Sequence, residues 1–212
     1  MPRLSKTAID SIQKLIDALI KTFGSQFIKQ KIRKYIKNKY DSGLIKAEDF
    51  FDVNFTRDQD SLKFLNEYAD GLVGSLKDDL ANDMRGIIKR TQIDGSDIEG
   101  VKQRIREEFN SKQYKDRLKV IIRTEGVRAG NTAQMDSAKK MKFKVLKYLD
   151  VTLDDRTSDI CKEEFKKYGS KDKAIPLNED FEVSIKNKTY RANAPPFHPN
   201  CRSVVMFVED ER

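Results

Sequence analysis

Two short segments near the carboxyl end of the chain contain its cysteines and its histidine. Residues 154–161 read Asp-Asp-Arg-Thr-Ser-Asp-Ile-Cys, and residues 195–202 read Pro-Pro-Phe-His-Pro-Asn-Cys-Arg. Both cysteines and the single histidine of the 212 residues fall inside these segments. Because a chain so poor in these side chains would rarely confine them to two loops by accident, the loops are predicted to meet in space.

The spacing in the second segment suits metal binding. His198 and Cys201 can reach one ion, and Cys161 would come from the other loop. Zinc is the one cofactor suggested, with a fourth position open unless Asp155 or Asp159 completes it. The alternative is that both cysteines pack as small apolar residues while His198 bonds a carboxylate such as Asp155. In either case the loop pair staples a domain too small to bury enough apolar surface unaided.

Three pieces of sequence, in a fixed order, resemble one known family. They are Ile-Arg-Thr-Glu at residues 122–125 followed by Arg128, Ala129 and Asn131, then residues 154–157 with Cys161, then residues 195–202. Over about residues 115–208 this order and wording resemble the phage Mu F-like minor head proteins, also called phage head morphogenesis proteins. In that family the first loop often reads Thr-Cys-x-x-Cys, and here Ser158 stands in place of the first cysteine.

The resemblance implies a function and partners. It implies a minor head protein, present in few copies at the portal or inner capsid surface, acting in capsid assembly and in DNA packaging or ejection. The implied partners are portal, capsid and scaffold proteins and double-stranded DNA, and the implied location is the capsid interior. The first alternative is a zinc-dependent hydrolase or nuclease using Cys161, His198 and Cys201 as ligands with an aspartate as base. A stand-alone nucleic-acid-binding module is the second alternative.

Charge is concentrated at the amino end. Residues 1–40 carry ten lysines or arginines and two aspartates, which equals the net charge of +8 of the whole chain. Such a segment attracts polyanions by releasing their counterions, although a solvated helix face has the same composition. The candidate nucleic-acid contacts are Lys29, Lys31, Arg33, Lys34, Lys37 and Lys39.

No membrane or secretory segment is evident. No run approaches the roughly 18 apolar residues that cross a bilayer, and the first residues lack the apolar core of a secretory signal. We therefore expect no membrane partner and a location in the host cytoplasm during assembly. In that reducing setting the cysteines are expected to be thiols or metal ligands, and no disulfide is expected.

Apolar spacing predicts a helical amino-terminal part. Apolar residues recur every three or four positions over residues 9–36, which indicates an amphipathic helix or a helix pair bent at Gly24–Ser25. A stop is predicted at residues 41–43. One long helix is predicted from Ser61 to about Ile88, with Gly71 and Gly74 marking a close helix crossing, and another from Ser111 to about Met141.

After Lys142 the period of the apolar residues changes to that of strands. Strands are predicted at residues 143–149 and 202–208, with a hairpin at residues 181–191 that turns at Lys186–Asn187. The fold class is therefore α+β, with a mainly helical amino-terminal part and a small mixed α/β carboxyl-terminal domain stapled by the Cys/His loop pair. The predicted divisions are a basic helical arm and loop at 1–60, a helical region at 61–142 and the mixed domain at 143–212.

Polar residues on the helix before that domain are expected to fasten it to its neighbours. Thr124, Arg128 and Asn131 share one stripe, and Glu125 can meet Arg128. We expect a buried Arg–Glu pair to join this helix to the loop containing Asp154 and Asp155. The full predicted polar network contains Arg123, Glu125, Arg128, Asn131, Arg156 and Arg202. Because the sequence contains no Ser-His-Asp set, phosphate-cradling glycine loop or His-Glu-x-x-His motif, no catalytic residue and no enzymatic activity are predicted.

Overall fold

The structure is a computed structural model that describes residues 6–23, 26–94, 98–110 and 112–210. Its helices before the first strand are α1 (Lys6–Phe23), α2 (Gln26–Phe51), α3 (Gln59–Asp94), α4 (Ile98–Phe109) and α5 (Lys112–Ala138). The elements that follow are β1 (Val145–Asp150), α6 (Asp159–Tyr168), a short 3-10 turn (Lys171–Lys173), β2 (Ile175–Pro176), β3 (Phe181–Ile185), β4 (Lys188–Ala192) and β5 (Val204–Glu209). The predicted α+β class, with a mainly helical amino-terminal part, is confirmed.

The described residues form two compact units. The first contains those of Met1–Ile32 and Tyr68–Lys119, and the second contains those of Arg33–Glu67 and Val120–Arg212. Helices α2, α3 and α5 therefore each supply residues to both units. The predicted division at residues 60 and 142 stays a prediction, and the compact units cut the chain at other positions.

The first unit is held together by apolar side chains at helical spacing. Ile12 and Ile16 of α1 and Val101 and Ile105 of α4 are fully buried, and α1 contacts α4. The predicted helix pair and the long third helix are both present, since α1 and α2 are separate helices and α3 is 36 residues long. The expected bend at Gly24–Ser25 and the expected helix start at Ser111 lie outside the described residues.

A glycine allows the backbones of α2 and α5 to pack closely in the second unit. A Cβ on Gly43 would collide with the carbonyl oxygen of Gly130, so a hydrogen at this position lets the two backbones approach closely. The predicted stop at residues 41–43 is wrong, because α2 continues to Phe51 and uses Gly43 for this contact. The predicted crossing at Gly71 and Gly74 is also wrong, since a Cβ at either would meet no heavy atom within 4 Å in the described part of the chain.

The sheet of the second unit is centred on β1. Strands β2, β1 and β5 form an antiparallel sheet in that order, and β3 pairs with β4 in a separate hairpin. Leu149 of β1 lies opposite Val205 of β5, and both are fully buried because alternate residues of each strand face the core. The predicted hairpin is confirmed, and its turn residues Lys186 and Asn187 have φ angles of 47° and 64°, as a two-residue turn between twisted strands requires.

A buried lysine ties two loops to the central strand. The Nζ of Lys147 donates hydrogen bonds to the carbonyl oxygens of Leu177 at 3.0 Å and Asn193 at 2.7 Å. It also lies 4.9 Å from the centre of the Phe181 ring. Burial lowers the pKa of Lys147 to about 8. The two carbonyls and the ring therefore take the place of the water that this ammonium group has lost.

Aromatic side chains join the end of α2 to the sheet. The Phe51 ring centre lies 5.6 Å from that of Phe207 on β5 and 6.3 Å from that of Phe143. Phe55, in the loop after α2, lies 6.0 Å from Phe51. Phe51, the last residue of α2, thus packs against the core of the second unit.

Replacing Gly43 with alanine should lower the free energy of unfolding by about 1 to 3 kcal/mol, because the added methyl group forces α2 and α5 apart. The matched control is Gly71→Ala, which fills open space on α3 and should stabilise the protein by up to about 1 kcal/mol through helix propensity. Urea unfolding of both variants measures the difference. Equal effects of the two substitutions would contradict a close crossing at Gly43.

Candidate metal centre and its surroundings

Helix α6 places Cys161 at the centre of the site. Ser158 caps this helix, and its Oγ accepts a hydrogen bond from the backbone N–H of Cys161 at 3.2 Å. A hydroxyl at this position satisfies one of the N–H groups that a helix leaves unpaired at its start. Cys161 consequently sits in the first turn of α6, with 4% of its surface exposed.

The second loop folds into a tight turn that carries the other two candidate ligands. The backbone N–H of Cys201 donates to the carbonyl oxygen of His198 at 3.1 Å. Asn200, between them, has a φ of 61°, a conformation that asparagine tolerates better than most residues. The N–H of Asn200 donates to the Oγ1 of Thr124 on α5 at 2.9 Å. The turn is therefore fixed to the helix that lies before the sheet.

Cys161, His198 and Cys201 form one cluster. The Sγ of Cys161 lies 3.0 Å from the Nε2 of His198 and 3.8 Å from the Sγ of Cys201. All three candidate ligand atoms lie within 4.8 Å of one another. The prediction that the two loops meet is confirmed. Ser158 joins the cluster, because its Oγ is 2.8 Å from the same Nε2.

No carboxylate belongs to this cluster within the described residues. Asp155 is exposed and lies outside this cluster, and its roles as a fourth ligand and as the hydrogen-bond partner of His198 stay predictions. The Nδ1 of His198 instead lies 2.7 Å from the carbonyl oxygen of Pro199. Asp159 forms an ion pair with Lys162 at 3.6 Å. Two hydroxyls contact the cluster instead: Ser158 beside the Nε2 of His198, and Ser203, whose Oγ donates to the Sγ of Cys161 at 3.3 Å.

The two thiols differ in acidity. The hydrogen bond from Cys161, together with that from His198, outweighs burial and lowers the pKa of Cys201. The same bond between the thiols, followed by burial, raises the pKa of Cys161. The hydrogen bond to Cys201 also raises the pKa of His198. These opposite shifts favour the thiolate at Cys201 over that at Cys161, and thiolate is the form in which cysteine binds metals.

The donor atoms fit a tetrahedral ion of the size of zinc. Two sulfurs bound at about 2.3 Å in tetrahedral geometry lie about 3.8 Å apart, and the observed Sγ–Sγ distance is 3.8 Å. The distance of 3.0 Å from Cys161 to His198 is shorter than the roughly 3.5 Å expected for a sulfur–nitrogen edge, so the ring would have to move slightly outward. The cavity beside Ser158, Cys161 and His198 measures about 10 Å³, which is room for a single small ion or water.

Comparison with known families identifies the chain. The model of the family described as phage Mu protein F like protein matches residues 82–206, more than half of the 212 residues. The chain belongs to the phage Mu F-like family. This family indicates a protein of phage head morphogenesis, as the resemblance in the three sequence segments predicted. Neither a curated protein nor a solved structure matches the chain.

In this phage Mu F-like protein, Asn131 fastens α5 to strand β5. It is 2% exposed, its Nδ2 donates to the carbonyl oxygen of Ser203 at 3.2 Å, and its Oδ1 accepts from the N–H of Val205 at 2.8 Å. A single carboxamide thus satisfies both a backbone acceptor and a backbone donor at the start of β5. The predicted fastening role of this polar stripe is observed at Asn131 and, through Asn200, at Thr124.

The predicted Arg–Glu pair lies within α5. The Nε of Arg128 is 2.9 Å from the Oε2 of Glu125, which is 1% exposed. Burial raises the pKa of Glu125, and Arg128 opposes this effect. We expected this pair to join α5 to the loop containing Asp154, but the carboxylate of Asp154 is held by Arg202.

Arg202 and Asp154 connect the two loops. Two guanidinium nitrogens of Arg202 contact the two carboxylate oxygens of Asp154, at 2.8 and 2.5 Å. Arg156 is 3.6 Å from the same carboxylate, and its backbone N–H donates to it at 2.9 Å. The Arg202 guanidinium holds the pKa of Asp154 well below its usual range. Bidentate arginine pairs of this kind fix geometry as well as charge.

The candidate nucleic-acid contacts line the exposed side of α2. Ile32, Ile36 and Tyr40 are buried at four-residue spacing, so the basic residues between them face outward. The exposed ones are Lys31, Arg33, Lys34, Lys37 and Lys39, and Lys29 is half-buried.

Among the described residues, no helix combines the length and apolar character that crossing a membrane would need.

Glu164 is a buried charge that the sequence analysis did not identify. It lies one turn after Cys161 on α6, is 0% exposed, and has no hydrogen-bond partner for either carboxylate oxygen within the described residues. Burial raises its pKa to about 7, with Lys167 opposing the change and Cys201 adding to it. The signal that could have revealed it is the spacing of Cys161, Glu164 and Tyr168, which places all three on the buried face of one helix.

Replacing Glu164 with glutamine should change the pH dependence of stability in the metal-free protein. The folded-state pKa of about 7 lies above the ordinary 4.5, so the wild type loses stability as the pH rises from 4.5 through 7. Glutamine cannot ionise. The free energy of unfolding of Glu164→Gln should therefore gain about 2 to 3 kcal/mol relative to wild type between about pH 4.5 and 8.

Urea unfolding at several pH values measures this difference. Glu163→Gln is the matched control, because it removes a neighbouring carboxylate that is 45% exposed on the same helix. A difference between Glu164→Gln and wild type that is constant with pH would show that Glu164 ionises as freely when folded as when unfolded.

Proposed function

We propose that the protein is a minor head protein that acts in capsid assembly and in the packaging or ejection of DNA. The observation that carries the proposal is the family match over residues 82–206, which includes Cys161, His198 and Cys201. The second unit supports it, because the contacts among Cys161, His198 and Cys201 and the Asp154–Arg202 pair connect α6 and the two loops. A fixed surface of this kind suits assembly, in which the partner must find the same contact on every copy.

The proposed protein partners are the portal protein and the capsid and scaffold proteins at the inner capsid surface. Exposed apolar side chains of the second unit support a protein contact: Phe50 is 45%, Val53 44% and Phe143 41% exposed. A largely apolar pocket of about 450 Å³ is lined by Val53, Phe55, Met141 and Phe143. Exposed aromatic and methionine side chains are enriched where proteins bind each other.

The proposed contact with double-stranded DNA uses the basic face of α2. Its exposed lysines and arginines follow one another at short intervals, while Ile32, Ile36 and Tyr40 anchor the helix on its buried face. Binding through such residues depends on phosphate neutralisation and is therefore strongly weakened by salt.

Heads purified from a producing strain test the assembly role. The protein should be present in the heads, in far fewer copies than the major capsid protein, and should co-purify with the portal protein after the heads are dissociated. Quantitative mass spectrometry measures both. Mature heads that lack the protein while infected cells contain it in soluble form would contradict the proposal.

We further propose that Cys161, His198 and Cys201 hold a structural zinc ion and that the protein has no catalytic role. The two cysteines are 4% and 2% exposed, and the cavity that adjoins both Cys161 and His198 measures only about 10 Å³. These observations favour a structural site over the alternative of a zinc-dependent hydrolase or nuclease, which needs an accessible open position. When bound, zinc would supply a cross-link between α6 and the turn at residues 198–201.

Metal analysis of protein purified without a histidine tag tests the zinc proposal. About one equivalent is expected, and less than about a tenth would exclude it. Ser158→Cys restores the cysteine that the family often has at this position, beside the Nε2 of His198, and should raise zinc affinity by at least about tenfold in chelator competition. The matched control is Ser170→Cys, which adds a thiol away from the cluster and should leave the affinity unchanged.

A further inference from the structure

A cleft beside the metal centre concentrates positive charge. It measures about 690 Å³ and lies in the second unit between α2, α5 and the turn that contains Asn200 and Arg202. Among the described residues, no carboxylate lines it. The basic residues that line it are Lys39, Lys46, Arg123, Arg156 and Arg202. Its volume falls within the range of about 300 to 1,000 Å³ that is usual for ligand sites.

Most of these positive charges have no ion pair with a carboxylate among the described residues. Asp154 is the carboxylate that pairs with Arg156 and Arg202, so one negative charge faces two positive ones. In the described part of the chain, Lys39, Lys46 and Arg123 form no ion pair with a carboxylate. Like charges gathered in a concave surface focus their field and raise the local concentration of anions. The cleft therefore has the electrostatics of an anion site.

The walls of the cleft are fixed elements of the fold. Gly126 makes room for the Tyr35 ring, because a Cβ at this position would lie 2.5 Å from that ring. Gly43 and Gly130 bring the two helix backbones together. On the other side, the hydrogen bond from Asn200 to Thr124 holds the turn against α5. Ligand binding here would need little reordering of the backbone, which favours affinity.

The uncharged side chains of the cleft distinguish a nucleic-acid strand from an acidic peptide. Tyr35, Gln134 and Asn200 lie among the cations. Aromatic rings stack on bases, and carboxamides pair with base edges, whereas an acidic peptide requires neither. The cleft also has the volume of a small-ligand site, so it can enclose part of one strand but not a whole duplex.

We propose that this cleft binds the sugar-phosphate backbone of a single nucleic-acid strand. Lys46, Arg123 and Arg202 contact the phosphates, and Tyr35 contacts a base. The site shares only Lys39 with the basic face of α2, to which duplex DNA is assigned. The single-strand site can therefore be tested independently of the duplex contact and of the role in head assembly.

Fluorescence anisotropy with a labelled oligothymidylate of about 12 nucleotides tests the site in the full-length protein. The double variant Lys46→Gln/Arg123→Gln should bind at least about tenfold more weakly, and the slope of log affinity against log salt should fall by about 1.4, the value for two lost phosphate contacts. The matched control is Lys144→Gln/Lys171→Gln, which removes two exposed lysines outside the cleft and should change affinity by less than about twofold.

A second measurement requires no variant. The oligonucleotide should protect Lys46 of the wild-type protein from acetylation and leave Lys144 reactive. The proposed site would be wrong if the cleft variant and the control lost the same affinity for the oligonucleotide and Lys46 were not protected. Binding would then come from the overall positive charge of the protein. Tighter binding of poly-glutamate than of the oligonucleotide, lost in the cleft variant, would overturn the nucleic-acid assignment in favour of an acidic peptide.

The variant Lys29→Gln/Lys34→Gln/Lys37→Gln separates the two proposed nucleic-acid contacts. It should weaken binding of a duplex of about 20 base pairs by at least about tenfold and leave oligothymidylate binding within about threefold of wild type. If this variant abolished single-strand binding while the cleft variant retained it, the assignment of single strands to the cleft would be wrong.

Discussion

The turn at residues 198–202 is held from two sides, and the carboxyl-terminal part of the second unit depends on this double attachment. On one side His198 and Cys201 meet Cys161 at the start of α6. On the other side Asn200 bonds to Thr124, and Asn131 bonds to the backbone on both sides of the start of β5. A sheet of three short strands is marginal without such support. Because β5 pairs along the whole of β1, the position of the turn also sets the register of the sheet.

The buried charged residues of this unit differ in whether they have a partner. Lys147 donates to two carbonyl oxygens from other segments of the chain, and Glu125 is paired with Arg128 on the same helix, so each of these buried charges has a partner that offsets part of its desolvation. Glu164 has no such partner in the described residues and lies on the same helix as Cys161. An unpaired buried carboxylate lowers stability, so the helix that supplies a cysteine to the cluster is also the one that carries this cost.

Three surfaces of different chemistry surround this fixed core. The surface at Phe50 and Phe143 is apolar, the exposed face of α2 is basic, and the cleft next to Arg202 is basic and concave. The last two share α2, whose buried residues face the core at four-residue spacing.

The sequence by itself determined the α+β class, the helix and strand periods, the hairpin turn and the family, because these follow from local spacing and from short motifs read along the chain. It also indicated that Cys161, His198 and Cys201 belong together. It could not show that Gly43 rather than Gly71 marks a helix crossing, that the Oγ of Ser158 lies beside the Nε2 of His198, or that Glu164 is buried with no hydrogen-bond partner among the described residues. Only the tertiary structure decided these points and assembled the basic cleft from residues between 35 and 204, because each depends on which distant side chains the packed backbone brings within a few ångströms.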